Sequence, residues 1–425
     1  MYNRIIALLL CIGMLLGLCA CGDRPVDPET PSSTFSTTYT ESADFAWDAS
    51  TGTQPSSSAM DTQDIQDATT ASDTSPYQPG MHQNPDARYL IGQILTDRQL
   101  QLYNRIVKAV QNYEQEIDFP NCKSTDLLYA FNAANKYNPD LFWFPTRYSM
   151  NWRRTGYTLT LYYPYSKEQV AWMSDKLQKA VNDLLTGLPA GLDAYATELY
   201  LHDQLVAATE YDFDYRTNAF NAYGALVDGS AVCEGYARAM QLLLHRAGLE
   251  CLLVNGKLDD EGHMWNIVKV DGQWYHLDPT LNDSDNRRSH AYFNLTDLAI
   301  SADHTIDRQL TSDASEIPLD LDFNLPVPAC SDITACYFVK TNSMIFADDQ
   351  LESVLQTKLS QKQYVTDDII EFGFAGSCSL IYPAAGSPEF TVFESRISDV
   401  VFAAGYNKFY LTGIPGSKGF SVRIG

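Results

Sequence analysis

A pair of strand-like runs joined by Asp-Gly constrains the fold of this chain more than any other feature. Residues 264–270 (MWNIVKV) and 273–280 (QWYHLDPT) both have the pattern of strands, and only Asp271 and Gly272 separate them. An Asp-Gly pair between such runs is a strong signal for a two-residue hairpin, because both turn positions need a positive φ. The sequence therefore predicts an antiparallel pair of strands here.

The register of this hairpin brings two chemically useful side chains together. A two-residue turn pairs Trp265 with Asp278 and, further along, His263 with Thr280. His263 and Asp278 then lie on one face as diagonal neighbours, roughly 7–8 Å apart between Cα atoms, a distance that long side chains can span. An imidazole held by a carboxylate is the orienting half of a catalytic triad.

A helix that begins near Cys233 supplies the candidate nucleophile. Ser230 is a suitable N-cap, and Gly248 is a suitable residue just after the last turn. Cys233 then lies in the first turn, where the helix dipole and free N–H groups favour a thiolate. For Cys233 alone, a small cysteine packed at a helix start is the better interpretation, but His263 and Asp278 change that balance. The apolar positions at helical spacing are Val232, Tyr236, Ala239, Met240, Leu243 and Ala247.

His276 is the rival general base. It lies on the same face of the hairpin but closer to the turn, opposite Ile267 and farther from the end where Asp278 can orient a ring, so we rank it well below His263. A solvated hairpin histidine and an Asp-Pro turn cap at Asp278 are the alternative explanations for the two hairpin residues. Each is reasonable singly, but their occurrence together with Cys233 favours a triad.

Four stretches of the chain resemble the transglutaminase-like superfamily. They are AYGALVDGSAVCEGYARAMQLLLHRAGL, GHMWNIVKVDGQWYHLDPTLND, YLHDQLVAATEYD and YFNLTD, within about Tyr195–Asp297. The resemblance places the nucleophile of the family on Cys233, its base on His263 and its acidic partner on Asp278. It implies an α+β, papain-like core in which a cysteine-bearing helix packs on an antiparallel sheet. It also implies acyl transfer from a carboxamide or peptide through a thioester.

The resemblance leaves the acyl acceptor open. Water would give a peptidase or amidase and an amine would give a cross-linking enzyme, and we place hydrolysis slightly ahead. The backbone N–H of Cys233 would hold the oxyanion together with a side chain, for which Tyr223 is a candidate, although a core role for this tyrosine is favoured. The alternative function is a non-catalytic binding or assembly lipoprotein that retains the fold. A metal site on Cys233 and His263 ranks lowest, because a third soft ligand at usable spacing is missing.

The N-terminus is typical of an exported lipoprotein. Arg4 precedes an apolar run, Ile5–Leu18, that is short for a membrane span and typical of a signal peptide. The following Cys19-Ala20-Cys21 resembles the lipobox of bacterial lipoproteins, so residues 1–20 are the predicted signal peptide and Cys21 is the predicted lipidation site. An ordinary signal peptide cut nearby is the alternative. We expect a chain anchored by lipid to the cell membrane on its extracellular face.

Composition divides the rest of the chain. Residues 21–85 are rich in Ser, Thr and Asp and cannot bury enough apolar surface to offset their ordering entropy, so we predict a disordered linker. Residues 86–190 are predicted to form an N-terminal α+β region, and residues 191–305 the transglutaminase-like catalytic domain. Residues 306–425 are predicted to form a small α+β accessory domain.

The charge balance limits the partners. The chain has 53 Asp and Glu against 29 Lys and Arg, a net charge of −24. Such a surface repels phosphate backbones and excludes nucleic acid as a partner. The expected partner is a protein or peptide substrate, including one in the cell wall.

The remaining cysteines give no metal pattern. No CxxC pair occurs, so neither a structural zinc site nor another cofactor is expected. Cys330 and Cys336 are close enough in sequence to form a disulfide in an exported protein, and buried free thiols are an equal alternative.

Overall fold

A computed structural model of the chain describes residues 91–284, 287–310, 323–361, 369–375, 378, 382–384, 386–414 and 419–424, together with the backbone of Ser36–Tyr39. The predicted signal peptide and the lipidation site Cys21 lie outside the described residues, as does the predicted linker apart from that short strand. Among the described residues, none of the helices combines the length and apolar character needed to cross a membrane.

The first described region packs helices against a four-stranded sheet. Its elements are β1 (Ser36–Tyr39), α1 (Asp97–Gln111), β2 (Glu116–Pro120), α2 (Ser124–Lys136), β3 (Arg147–Arg153), β4 (Gly156–Tyr162) and α3 (Lys167–Thr186). The strand order is β1-β3-β4-β2, and β2, β3 and β4 are antiparallel. Helices α1 and α3 both begin with a capping box, in which Thr96 or Ser166 exchanges hydrogen bonds with the glutamine three residues later.

The second region is built on a five-stranded antiparallel sheet, whose strands lie in the order Phe293–Leu295, Gln273–Leu277, Glu261–Val270, Cys251–Leu258 and His304–Ile306. A 3₁₀ turn (Thr217–Phe220) and a π-helical turn (Gly224–Asp228) precede the helix that carries Cys233. The elements are α4 (Ala194–Ala208), β5 (Glu210–Tyr211), β6 (Ser230–Ala231), α5 (Cys233–Ala247), β7 (Cys251–Leu258), β8 (Glu261–Val270), β9 (Gln273–Leu277), α6 (Pro279–Asn282), β10 (Asp283–Ser284), β11 (Arg287–Arg288), β12 (Phe293–Leu295), α7 (Asp297–Ile300) and β13 (His304–Ile306).

The hairpin register predicted from Asp271-Gly272 is confirmed. β8 and β9 pair from Val270–Gln273 next to the turn outward to Asn266–Leu277. Asp271 and Gly272 have φ values of 50° and 83°, as a two-residue turn of this hand requires. The next position in this register sets Asp278 beside the strand that carries His263.

The predicted N-cap of the cysteine helix is wrong. Helix α5 begins at Cys233, its N-cap is Val232, and no side chain caps it. Ser230 lies instead in β6, which pairs in parallel with β5, and its hydroxyl donates to Asp212 at 3.3 Å. The predicted helix end is confirmed, because Gly248 follows the last turn with φ of 89°.

The last region is a smaller α+β unit with its own apolar core. Its elements are α8 (Tyr337–Lys340), β14 (Met344–Ile345), α9 (Leu351–Ser360), β15 (Ile369–Phe374), α10 (Pro388–Ala403), β16 (Phe409–Gly413) and β17 (Gly419–Ile424). The sheet order is β14-β15-β17-β16, with β14 parallel to β15 and the other pairs antiparallel. The predicted α+β fold class is confirmed.

One larger apolar core runs from Ile91 to Ala335 and joins the first two regions. Two polar contacts fix the returning chain on α2: the Tyr129 hydroxyl donates to the carbonyl of Leu310 at 3.1 Å, and Lys136 Nζ donates to the carbonyl of Phe323 at 2.7 Å. The predicted domain limits at 190 and 305 stay a prediction.

Candidate active site

Buried polar side chains fasten helix α5 to the sheet behind it. Asn266 on β8 donates to the carbonyl of Ala237 at 3.0 Å. Gln241 and His245 both donate to the carbonyl of Cys251 on β7, at 3.2 and 2.9 Å. Because these groups are buried, leaving them unpaired would cost free energy, so helix and sheet hold one relative position.

The first turn of α5 is packed too tightly for a larger residue at Gly235. A Cβ there would lie 2.2 Å from the carbonyl oxygen of Ala219 and 2.8 Å from the Cβ of Ala231. The loop before the helix therefore presses directly on the turn that begins with Cys233. Cys233 itself is partly exposed, so a substrate can reach the thiol.

His263 and Asp278 form a short, buried pair. His263 Nε2 lies 2.6 Å from Asp278 Oδ2, and both side chains are almost fully buried. The other carboxylate oxygen, Oδ1, accepts from the backbone N–H groups of Thr280 at 2.9 Å and Leu281 at 3.3 Å. Asp278 is thus both the N-cap of α6 and the partner of His263, and its orientation is fixed by α6.

This pair is charged at neutral pH. Burial would raise the pKa of the Asp278 carboxyl, but the charge and hydrogen bond of His263, with further help from His304, hold it well below its usual range. Burial would lower the pKa of His263, but the charge and hydrogen bond of Asp278 and a hydrogen bond with the Cys233 thiol raise it to about 10. The three predicted residues therefore meet: Asp278 engages Nε2 of His263, and Cys233 acts on the same imidazole.

His276, the rival candidate for the general base, uses both ring nitrogens in hydrogen bonds outside the triad. Trp265 Nε1 donates to His276 Nδ1 at 3.0 Å, so the ring proton of a neutral His276 is on Nε2, which donates to Asp297 at 2.9 Å. Burial lowers the pKa of His276. Its low rank as a base agrees with this geometry.

A third histidine, His304 on β13, also touches the carboxylate of Asp278, and sequence reasoning missed it. His304 Nε2 lies 3.1 Å from Asp278 Oδ2, the oxygen that His263 uses. The strand that carries His304 has only three residues and pairs with the far end of β7. Neither pattern nor spacing in the sequence marks such a short, long-range strand.

Comparison with known proteins identifies the second region. Residues 186–279 match the Transglutaminase-like superfamily, a stretch that contains Cys233, His263 and Asp278. The chain carries a transglutaminase-like domain. In this domain the cysteine-bearing helix α5 packs on an antiparallel sheet, as expected of a papain-like core.

Two solved structures are similar to parts of the chain. One is a proposed cysteine protease from Cytophaga hutchinsonii, 17% identical over 30% of this chain and 51% of that one, with a TM-score of 0.22. The other is a TGase, 14% identical over 49% of this chain and 60% of that one, with a TM-score of 0.25. The chain thus spans about half to three fifths of the length of these proteins. Similarity at this level says nothing about activity. No curated protein matches the chain.

Tyr223 of the transglutaminase-like domain belongs to the core. It is buried, its ring packs against Phe142 with centroids 5.5 Å apart, and burial raises the pKa of its hydroxyl. This environment agrees with the core role that the sequence favoured over an oxyanion donor.

Three groups of side chains in the described part of the chain are close enough to share a metal ion: His263, Asp278 and His304; His202, Asp203 and His290; and His276, Asp297 and Cys330. Every histidine nitrogen that faces a carboxylate in these groups already makes a hydrogen bond. In the third group, the bond from Trp265 also fixes the proton on the nitrogen of His276 that a metal would need.

The cysteines of the described residues all carry free thiols. Cys330 and Cys336, the two for which a disulfide was one alternative, are both buried and unpaired. Burial raises the pKa of Cys330 to about 12 and also raises that of Cys336, so both thiols stay protonated.

The described structure also contains a buried ion cluster between the transglutaminase-like domain and the C-terminal sheet. His290 Nδ1 donates to Glu371 Oε2 at 2.5 Å, and His290 Nε2 donates to Asp203 Oδ1 at 3.0 Å. The backbone N–H of His290 donates to the other oxygen of Glu371 at 3.2 Å, and the Tyr337 ring stacks on the imidazole at 3.9 Å. Because both partners are carboxylates, His290 is protonated on both nitrogens.

Proposed function

We propose that this chain is a thiol enzyme that transfers the acyl group of a protein or peptide amide. Cys233 is the nucleophile, His263 the general acid and base, and Asp278 the residue that orients His263. The observation that carries the proposal is the 2.6 Å pair of His263 and Asp278 beside a cysteine at the start of a helix.

The charge state of the pair supports a specific order of events. The thiolate form of Cys233, beside the protonated His263, attacks the carbonyl carbon of the amide. The C–N bond then breaks as His263 gives its proton to the leaving amine, and a thioester remains on Cys233. Water or a second amine next attacks the thioester, losing its proton to His263, and the thiolate departs. Asp278 stays ionised throughout and stabilises the imidazolium in the steps where His263 is protonated.

Hydrolysis is slightly favoured over cross-linking as the second half of this reaction. The alternative is a binding or assembly lipoprotein that keeps the fold without the chemistry. An ion pair aimed at an accessible cysteine argues against that alternative, because a scaffold has no need for this geometry.

The enzyme would act at the cell surface. Cys21 would carry a lipid that holds the protein on the extracellular face of the cell membrane, and two or more acyl chains suffice for stable anchoring. The flanking regions would then position a protein or cell-wall substrate against Cys233.

Selective alkylation tests the catalytic role. Cys122 is a matched internal control, because it is also partly exposed but its thiol donates to the carbonyl of Phe119 rather than to an imidazole. At about pH 6 an ordinary thiol is well under 1% thiolate, so Cys233 should alkylate on the order of 10²-fold faster than Cys122. H263A should remove this advantage and D278A should reduce it less. Peptide mapping after brief iodoacetamide treatment measures both; equal rates at Cys122 and Cys233 would refute the proposal.

A second experiment separates hydrolysis from cross-linking. Glutamine-containing peptides are incubated with the protein in the presence of a fluorescent primary amine, and C233S is the control. Hydrolysis converts the carboxamide into a carboxylate, whereas transfer to the amine makes the peptide fluorescent. Mass spectrometry of the products reports the ratio directly. Absence of both products, together with absence of early Cys233 alkylation, would leave the binding-protein alternative.

A further inference from the structure

The carboxylate of Asp278 is shared by two histidines. His263 Nε2 and His304 Nε2 both approach the same oxygen, Oδ2, at 2.6 and 3.1 Å, and their rings meet edge to face with centroids 5.5 Å apart. His304 is fully buried, so it cannot exchange this partner for solvent.

The other side of His304 fixes its protonation state. His304 Nδ1 lies 2.5 Å from Asp303 Oδ1, so both ring nitrogens face carboxylates, which only accept hydrogen bonds when ionised. Both nitrogens must then donate, which makes His304 an imidazolium. Burial would lower the pKa of His304, but the hydrogen bonds to Asp278 and Asp303 raise it.

The support behind His304 is rigid. The Tyr292 hydroxyl donates to Asp303 Oδ2 at 2.6 Å, and the backbone N–H of Asp259 donates to the carbonyl of Asp303 at 2.7 Å. The Trp265 ring stands edge to face on His304 with centroids 4.9 Å apart. The strand itself lies directly on β7, since a Cβ at Gly256 would be 2.1 Å from the carbonyl oxygen of Thr305.

We propose that His304 is a positioning residue for the acyl-transfer reaction: it holds the carboxylate of Asp278 in line with His263 and shares its negative charge. Asp303 and Tyr292 hold His304 in turn. The inference rests on the proposed function of Cys233 and adds a fourth residue that acts through Asp278.

Two effects on His263 follow. The hydrogen bond from His304 stops Asp278 from rotating about its side chain, so the imidazole of His263 keeps its orientation toward the thiol. The positive charge of His304, whose ring centroid lies 5.5 Å from that of His263, opposes a second cation on His263 and makes His263 a stronger acid. A proton held too tightly on His263 would be slow to reach the leaving amine, so this charge speeds the proton transfer.

Several other titratable groups face this pair and must be considered in any pH profile. Besides Asp278, the charged neighbours are Asp303 on the preceding turn and Asp259 on the β7–β8 turn, which acts on Tyr292. His276 is electrostatically coupled to His304, but burial lowers its pKa, so it is neutral when His263 titrates.

Two substitutions separate the hydrogen bond from the charge. His304→Gln keeps an N–H donor for Asp278 without the charge, and His304→Phe keeps the ring shape with neither. His276→Gln is the matched control. His276 is an equally buried histidine on the same sheet, and it also bonds to a carboxylate, that of Asp297, outside the proposed site. The readouts are the NMR titration of the His263 ring and the pH profile of Cys233 alkylation by iodoacetate. This anionic reagent reacts fastest while His263 is protonated.

Both His304 variants remove the positive charge of His304. The basic limb of the pH profile for alkylation of Cys233 by iodoacetate should then move to higher pH, and the titration of the His263 ring should move with it. For charges about 5.5 Å apart the shift should be on the order of one pH unit. The alkylation rate on the plateau should fall about tenfold or more in His304→Phe and less than about threefold in His304→Gln. His276→Gln should lower the melting temperature without moving either titration.

The outcomes distinguish this inference from the proposed function. If Cys233 of the unaltered chain lacks early alkylation, the proposed function fails, while the His263 titration still tests His304. If Cys233 alkylates early but both His304 variants only lower the melting temperature, as His276→Gln does, then His304 is structural and the inference is overturned.

Discussion

Replacing Glu371 by glutamine removes one of the two carboxylates that hold His290 protonated. The glutamine would keep the size of the side chain and one acceptor oxygen for His290. It would remove the negative charge 2.5 Å from the imidazole, leaving Asp203 as the remaining anion. The substitution therefore tests charge at a site where shape is nearly unchanged.

The structure sets the size and pH window of the effect. Burial would lower the pKa of His290, but hydrogen bonds and charges of Asp203 and Glu371 raise it to about 9. Against an ordinary value near 6.5, this difference corresponds to about 3 kcal/mol that favours the folded state. Because the folded-state pKa is raised, this stabilisation is fully present below about pH 6.5 and is lost as pH rises through about 9.

Glu371 supplies roughly half of the opposing charge, so the variant should lose about 2 kcal/mol near pH 6 and much less near pH 10. For a chain of this size the loss near pH 6 corresponds to roughly 2–3 °C in melting temperature. Thermal unfolding of the chain and of E371Q at both pH values measures the difference. The contributions of other groups, including His263, cancel because both proteins share them.

E352Q is the matched control. The same change from glutamate to glutamine at Glu352 removes one charge of a more exposed ion pair with Arg396. Loss of this ion pair should lower the free energy of unfolding by less than about 1 kcal/mol. This smaller loss should be the same near pH 6 and pH 10. If E371Q lowers the melting temperature equally at both pH values, His290 is not a charged member of the cluster and the reasoning is wrong.

Three further outcomes are expected. C21S should stay unlipidated and move from the detergent phase to the aqueous phase, whereas the unaltered chain should begin at a lipid-modified Cys21 by intact mass. G235A should destabilise the protein by about 1–3 kcal/mol in chemical denaturation, because a Cβ there overlaps two neighbouring groups, whereas G262A, which meets nothing within 4 Å, should be nearly neutral. Cys330 and Cys336 should remain unlabelled by a thiol reagent until the protein unfolds, and reduction should not change the mass of the folded region; a gain of two mass units would show a disulfide.

The parts of the site that depend on residues close together in sequence could be predicted from the sequence. Asp271-Gly272 determines a turn by itself, and the register that follows from it places Asp278 beside the strand of His263. The apolar spacing of α5 also predicts a helix with Cys233 in its first turn, although the predicted N-cap Ser230 is wrong. Such patterns are readable because all residues involved are neighbours in sequence.

The features that the sequence did not predict depend on contacts between residues far apart in the chain. Ser230 resembles an N-cap, but pairing of its strand with Glu210 draws it out of the helix, and Asp212 takes its hydroxyl. His304 meets Asp278 across 26 residues, and the bond between His290 and Glu371 spans 81. Nothing in the local pattern of either partner distinguishes these pairs from surface residues of the same types.

The contacts of helix α2 with the returning chain also determine when the larger core can close. Tyr129 and Lys136 bond to Leu310 and Phe323, which follow them by 181 and 187 residues. Contacts between residues so far apart in sequence form slowly, because a long loop must close before they contribute to stability. Closure of the larger core is therefore a late step in folding, which requires the chain beyond the catalytic triad to return to α2.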